Sequence, residues 1–284
     1  MFTKRRIIYL ASCLIRYYYC VYFFQVIITD ARHDSSRAAQ HTTVSAISHR
    51  NKKVIYSLSW SKNDMASAAS REVPMTKEVV DSLTALGHRI GEVAHDYVPA
   101  LKTWLNGKGI KNSYDSWHRG KGVKKAIKKV ASGLVRDSEK SWFSELSDKV
   151  HTHIYYPMKN CNGDSEELRN YMVNIIDHYK GDHSKCHEDS RCHEEGYVCS
   201  KKPLVSDRAI AAYRKAIEGT TIYKNASDYA QVVTFVSVVN VPCRDTYWVE
   251  TLHLVMLVYA AKRIHFSRAD TYEMRMQLAI LDWV

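Results

Sequence analysis

Val26-Ile27-Ile28-Thr29-Asp30 decides the fold, because it is either the first core strand or the tail of a membrane segment. Apolar, β-branched residues running into a carboxylate suit a buried strand. The stretch ends a longer run from Ile7 to Thr29, interrupted by Arg16 and Gln25 and holding five Tyr and two Phe. Lys4-Arg5-Arg6 stand in front of it, and a basic flank before an apolar run also fits a signal peptide or signal anchor over residues 4–29. Arg16 at mid-span is costly for a membrane helix. The aromatic and β-branched content favours the strand. A third reading takes residues 1–18 as an apolar leader from a truncated reading frame.

Outward from Asp30, two paired strands are predicted, Gln40 to Ser48 and Lys52 to Ser61, around a polar turn at His49-Arg50-Asn51. Val54, Tyr56, Leu58 and Trp60 share one face, with Ser57, Ser59 and Ser61 on the other, the period of a half-buried strand. After a polar loop (62–74), Thr76 to Leu86 carries Val79, Val80, Leu83 and Leu86 at helical spacing and stops at Gly87. Ile90 to Ala94 is a short strand ending at His95-Asp96. Val98, Leu101 and Leu105 mark a helix, and Gly109 to Tyr114 a strand ending at Asp115. The order β-β-β-α-β-α-β is that of a ribonuclease-H-like α/β core with a mixed sheet. Residues 19–118 are its expected first part.

From Gly120 the pattern turns helical. Val123, Ala126, Ile127, Val130, Ala131 and Leu134 form one apolar stripe. Asp164 with Glu167 makes a capping box before the stripe Leu168, Tyr171, Met172, Ile175, Ile176, Tyr179. Helices are expected around 206–218, 226–239, 246–261 and 268–281. Residues 119–244 thus read as a mostly helical insertion with a His/Cys-rich loop at 178–199. Residues 245–284 read as C-terminal helices completing the core.

Composition limits the function classes. Among 284 residues, 45% hydrophobic and 25% charged excludes a mostly disordered chain, and 11 Gly with 5 Pro excludes collagen-like or linker-rich classes. Lys plus Arg is 41 against 30 acidic residues, a net charge of +11 that favours a polyanionic partner, DNA or a membrane surface. Seven scattered Cys argue against a closed secreted disulfide framework.

A nuclease or transposase on a ribonuclease-H-like core needs three carboxylates converging on two divalent metals for in-line phosphoryl transfer. They come from the first strand, the end of the fourth strand and a later helix. Asp30, Asp96 and Glu250 stand at those places, with the helical insertion between the last two.

Asp30-Ala31-Arg32-His33-Asp34-Ser35 is similar to the first-strand motif of the DDE transposases of the Kolobok type. Tyr114-Asp115-Ser116-Trp117-His118, followed by Gly120-Lys121-Gly122-Val123-Lys124-Lys125, resembles the family's Asp-x-x-His block. Val249-Glu250-Thr251-Leu252-His253, then Tyr259-Ala260-Ala261-Lys262-Arg263-Ile264-His265-Phe266, resembles its late helix and the segment after it. Arg275 and Leu278-Ala279-Ile280-Leu281-Asp282 fit the continuation. Gly181-Asp182-His183-Ser184-Lys185-Cys186 is similar to related transposase-derived proteins.

The resemblance implies metal-dependent DNA cleavage and strand transfer, with Asp30, Asp96 and Glu250 holding a Mg²⁺ or Mn²⁺ pair and Asp115 with His118 as the accessory motif. Ser36-Arg37, His95-Asp96-Tyr97 and Ala261 depart from the family pattern, and no N-terminal zinc-dependent DNA-binding module accompanies it. The chain therefore reads as a fragment or a decayed copy.

The segment from Arg119 to Arg136 holds seven basic residues and no acidic one. Lys121, Lys124, Lys125, Lys128 and Lys129 are candidate phosphate contacts; the bland alternative is a solvated face. Trp104 and Trp117 read as core residues. His183, Cys186, Cys192 and either His193 or Cys199 are candidate ligands of a structural Zn²⁺. A Cys186–Cys192 disulfide is the alternative in a secreted chain, where Asn225-Ala226-Ser227 would be a glycosylation sequon. Three functions are carried forward: an active transposase, a catalytically dead transposon-derived DNA-binding protein, and a membrane-anchored or secreted protein. The first two place the chain in the nucleus with DNA and a second copy as partners. A membrane is a partner only if residues 4–29 anchor the chain.

Overall fold

The structure is a computed structural model that describes residues 24–35, 38–133, 137–188, 190–198, 206–230, 246–262, 264 and 266–283. The leader (1–18) lies outside the described residues. The chain is α/β and divides into two compact units, 1–115 with 245–284, and 116–244.

The first unit is built on a five-stranded mixed sheet of order β3-β2-β1-β4-β5. Its strands are β1 (Gln25–His33), β2 (His41–Ser48), β3 (Val54–Ser61), β4 (Ile90–His95) and β5 (Lys111–Tyr114). β1 pairs antiparallel with β2 and parallel with β4, so the disputed stretch is the central strand of the sheet. The reading of Val26–Thr29 as part of a membrane segment is thereby corrected. No helix among the described residues is long and apolar enough to cross a membrane.

Side chains alternate across the strands, and each face buries its own cluster. Ile27, Val44, Leu58 and Val93 meet Met75, Val79, Val80 and Leu83 of α1 (Ala68–Ala85) and Leu105 of α2 (Pro99–Gly107). Trp104 packs against this cluster, as expected. On the opposite face Ile28, Ile47 and Ala94 meet Val249, Leu252 and Met256 of α9 (Tyr247–Tyr259) and Tyr272, Met276 and Ile280 of α10 (Ala269–Asp282).

Two expectations about the sheet unit change. Val54 does not share a face with Tyr56 and Leu58. The β2–β3 register shifts between Ala46 and Ile47, and this bulge turns Val54 toward α9 and α10. The polar loop at 62–74 is shorter than expected, because α1 begins at Ala68 and runs through Pro74. Proline frees the carbonyl four residues back, and here that residue is the exposed Ser70, where water can serve it. The buried Arg71 guanidinium reinforces this turn by donating to the carbonyls of Met65, Ala66, Ala39 and Gln40.

The second unit is helical: α3 (Ser116–Gly133), α4 (Asp137–Asn160), α5 (Ser165–Val173), α6 (Ile175–Tyr179), α7 (Asp207–Glu218) and α8 (Thr221–Lys224). α3 packs along α4 and α7, burying Val123 and Ile127 of the expected stripe; Leu134 lies outside the described residues. α4 continues through Pro157 and has no counterpart among the expected stripes. Asp164 caps α5 by accepting from the Glu166 and Glu167 amides. The Glu167 side chain accepts from Tyr171 Oη, so a different partner takes the carboxylate expected to complete the box. Where a helix was expected from residue 226, a 3-10 turn spans Ala226–Asp228; residues 231–245 lie outside the described residues.

Candidate functional sites

Period-two alternation puts Asp30 on the face of β1 that carries Ile28, toward α9. Asp96 directly follows β4, the strand paired with β1. Glu250 lies in the first turn of α9, where a carboxylate favours the helix dipole. Burial, then the Asp96 charge, pushes the Asp30 carboxyl well above the usual carboxylate range, and Glu72 and Glu250 add to the rise. Glu72 of α1 is raised as well, by burial and Asp96. Asp30 nevertheless keeps 19% of its side chain exposed, an opening toward solvent.

Asp115 belongs to the same group. One of its carboxylate oxygens lies within 4.8 Å of one from Asp96. Asp115 is buried, and its Oδ2 accepts from the Thr246 amide at 2.9 Å and from the Thr246 hydroxyl. The same hydroxyl lies 2.8 Å from Glu250 Oε1. A hydroxyl has one proton, so Thr246 is a shared donor between two carboxylates. β5 is thus tied to the start of the helix that carries Glu250. His118 opens α3 in the other unit, with its side chain exposed.

His253, one turn past Glu250, places Nδ1 3.5 Å from Asp30 Oδ2. Burial, then the Arg32 charge, holds its imidazole down to about 3, so the ring is neutral near pH 7 and the contact is not an ion pair. Arg32 itself is buried and donates to Tyr272 Oη at 2.9 Å and to the Ala260 carbonyl.

Comparison with protein-family models, curated proteins and solved structures returns no match.

The candidate DNA-contacting lysines lie on α3. Lys121, Lys125, Lys128 and Lys129 are exposed. Lys124 Nζ lies 3.0 Å from Asp148 Oδ1 of α4, a partner with which a phosphate would compete.

The His/Cys-rich loop gathers His178, His183, Cys186 and Cys192, with one ligand-type atom of each within 4.8 Å of the others. Cys192 Sγ lies 3.3 Å, and Cys186 Sγ 3.5 Å, from His178 Nδ1. Cys186 Sγ is 3.8 Å from His183 Nδ1. Cys186 and Cys192 are free thiols, which corrects the disulfide alternative. His193 is not in this group: it sits in a 3-10 turn, exposed, with Nε2 3.5 Å from the Cys186 carbonyl. His178 occupies its expected place, because the end of α6 projects that ring toward the two sulfurs. Cys199 lies outside the described residues. Burial, then the neighbouring Cys192, pushes the Cys186 thiol up to about 12.

Sequence reasoning missed Glu72 and His178. Glu72 lies in a stretch read as loop, and no local signal marked it. His178 is the first residue of the His/Cys-rich span 178–199, and its place beside Tyr179, the end of the apolar stripe, was the signal for choosing it.

Proposed function

We propose that this chain is a transposase-like polynucleotidyl transferase, built on a ribonuclease-H-like core and acting on DNA through a divalent-metal carboxylate site. The observation that carries the reading is the meeting of carboxylates from separate elements: Asp115 and Glu250 share the Thr246 hydroxyl, and Asp96 and Asp115 bring carboxylate oxygens within 4.8 Å of each other. The chain order β-β-β-α-β-α-β expected of that core, folded here into a mixed sheet of order β3-β2-β1-β4-β5, supports it. The motif resemblance between residues 30 and 282 supports it independently.

The residues fit the implied ions. Their donors are hard carboxylate oxygens, the type Mg²⁺ and Mn²⁺ take, and burial, then the Asp96 charge, raises the Asp30 carboxyl, a cost that a bound cation would relieve. Asp30, Asp96 and Glu250 would hold the metals, which when bound supply Lewis-acid stabilisation of phosphoryl charge and activation of the attacking hydroxyl. Asp115, through Thr246, orients the helix that bears Glu250. His253 packs its neutral ring against Asp30 and adds no competing positive charge. Lys121, Lys125, Lys128 and Lys129 would neutralise DNA phosphates without reading sequence.

The test is nicking of supercoiled plasmid by the full chain with Mg²⁺ or Mn²⁺. Wild-type chain should nick only with metal, and Asp30→Asn should lose roughly 100-fold or more, since even outer-shell changes at metal sites cost about 10–100-fold. One observation favours a second reading, a catalytically dead DNA-binding protein. Asp30, Asp96 and Glu250 do not gather as tightly as the His/Cys group does. Salt-sensitive DNA binding with no metal-dependent nicking would select it.

A further inference from the structure

We infer that His178, His183, Cys186 and Cys192 form a structural zinc site that pins the long loop between α6 and α7 to the end of α6. The inference does not rest on the DNA chemistry proposed above.

A tetrahedral ion with bonds of ~2.0–2.3 Å sets its ligand atoms ~3.3–3.8 Å apart. The sulfur-to-nitrogen separations here are 3.3, 3.5 and 3.8 Å. Two sulfurs with two imidazole nitrogens, three separations in that range and all within 4.8 Å, select zinc over the hard cations that suit carboxylates. The surroundings have the form of an outer ligand shell. His178 turns Nδ1 to the sulfurs while its Nε2 lies 3.4 Å from Tyr197 Oη, which fixes the ring. Asn174 Nδ2 donates to Cys186 Sγ at 3.6 Å, and Ser190 Oγ lies 2.8 Å from Cys192 Sγ. Both can stabilise thiolate charge.

Hydrophobic burial gives this loop little order. Among its described residues from 181 to 198, no side chain is buried. Hydrophobic burial therefore does not hold it against its conformational entropy. A metal cross-link between His178 and three loop residues does, and it would make this region's folding depend on the ion.

The full chain, purified without chelator, should carry one equivalent of zinc by plasma mass spectrometry. Replacement with Co²⁺ should give the intense visible bands of a tetrahedral ion and the near-ultraviolet charge transfer of two thiolates. The double variant Cys186→Ser, Cys192→Ser should lose the ion, while His193→Gln should keep it. Failure of the zinc-supplied chain to retain stoichiometric metal overturns the site, as does a six-coordinate cobalt spectrum. Loss of the ion in His193→Gln overturns the ligand set. If the double variant does not fold, the wild-type cobalt spectrum alone decides.

Discussion

Burial, with the His178 and Lys149 charges, holds the His153 imidazole down to about 4, and its Nε2 meets Tyr179 Oη at 2.8 Å. Burial is the larger cause, so protonating the ring is costly in the folded chain. In the unfolded chain the same group titrates near 6.5, so below that pH the unfolded state binds the proton first. The stability due to neutral His153 is complete above about pH 6.5 and falls by ~1.4 kcal/mol per unit toward about pH 4. Urea denaturation at about pH 7 and about pH 5 should show the midpoint dropping on the acid side, with a smaller drop in His153→Gln. Asp30 pulls the other way, because its folded carboxyl titrates above its unfolded one and stability is lost as pH rises through that interval. The alternation of β1 and the position of Asp30 at its end could be read from local residues. Their electrostatic partners could not, because Glu72, Asp96 and Glu250 approach only after the sheet and two helices have packed.

The link from β5 to α9 shows how one carboxylate can organise a helix. Asp115 Oδ2 satisfies the Thr246 amide and hydroxyl at the helix start, in a buried setting where a charged acceptor is worth more than a neutral one. Asp115→Asn should lower stability by about 1.5–3 kcal/mol in urea denaturation. Combined with Thr246→Val, the two effects should add to less than their sum, with a coupling of about 1 kcal/mol. If Asp115 positions Glu250, nicking should fall in Asp115→Asn while DNA affinity stays the same. The sequence placed strands at β1 to β5 within a few residues because their apolar periods and stops are local. It misread the start of α1, since Pro74 argues for a break and only the exposure of Ser70 and the anchoring of Arg71 remove that penalty.

Over the whole molecule, a net charge of +11 makes salt the natural probe of the DNA reading. Lys121, Lys125 and Lys128 follow i, i+4, i+7 spacing on α3 and so form one stripe. Changing Lys125, Lys128 and Lys129 to Gln should weaken binding evenly across DNA sequences. For every phosphate left without its lysine, the slope of log K against log salt should become shallower by ~0.9. Lys124→Gln should change the slope less, because Asp148 already engages that ammonium. Fluorescence anisotropy over a salt series measures both, and equal slopes for all variants would remove α3 from the interface.

Periodicity, strand ends and stop signals were enough to recover the α/β class and the strand sequence of the sheet unit, because alternation and helical spacing are written in near neighbours. Composition likewise set the cationic character. Packing alone determined which distant groups share a site: the bulge that turns Val54 over, the approach of Glu72 to Asp96, the bridge from Asp115 to Thr246, and the choice of His178 over His193 beside the two thiols. Those outcomes depend on distances between segments separated along the chain, and neither hydrophobic pattern nor residue spacing encodes such distances.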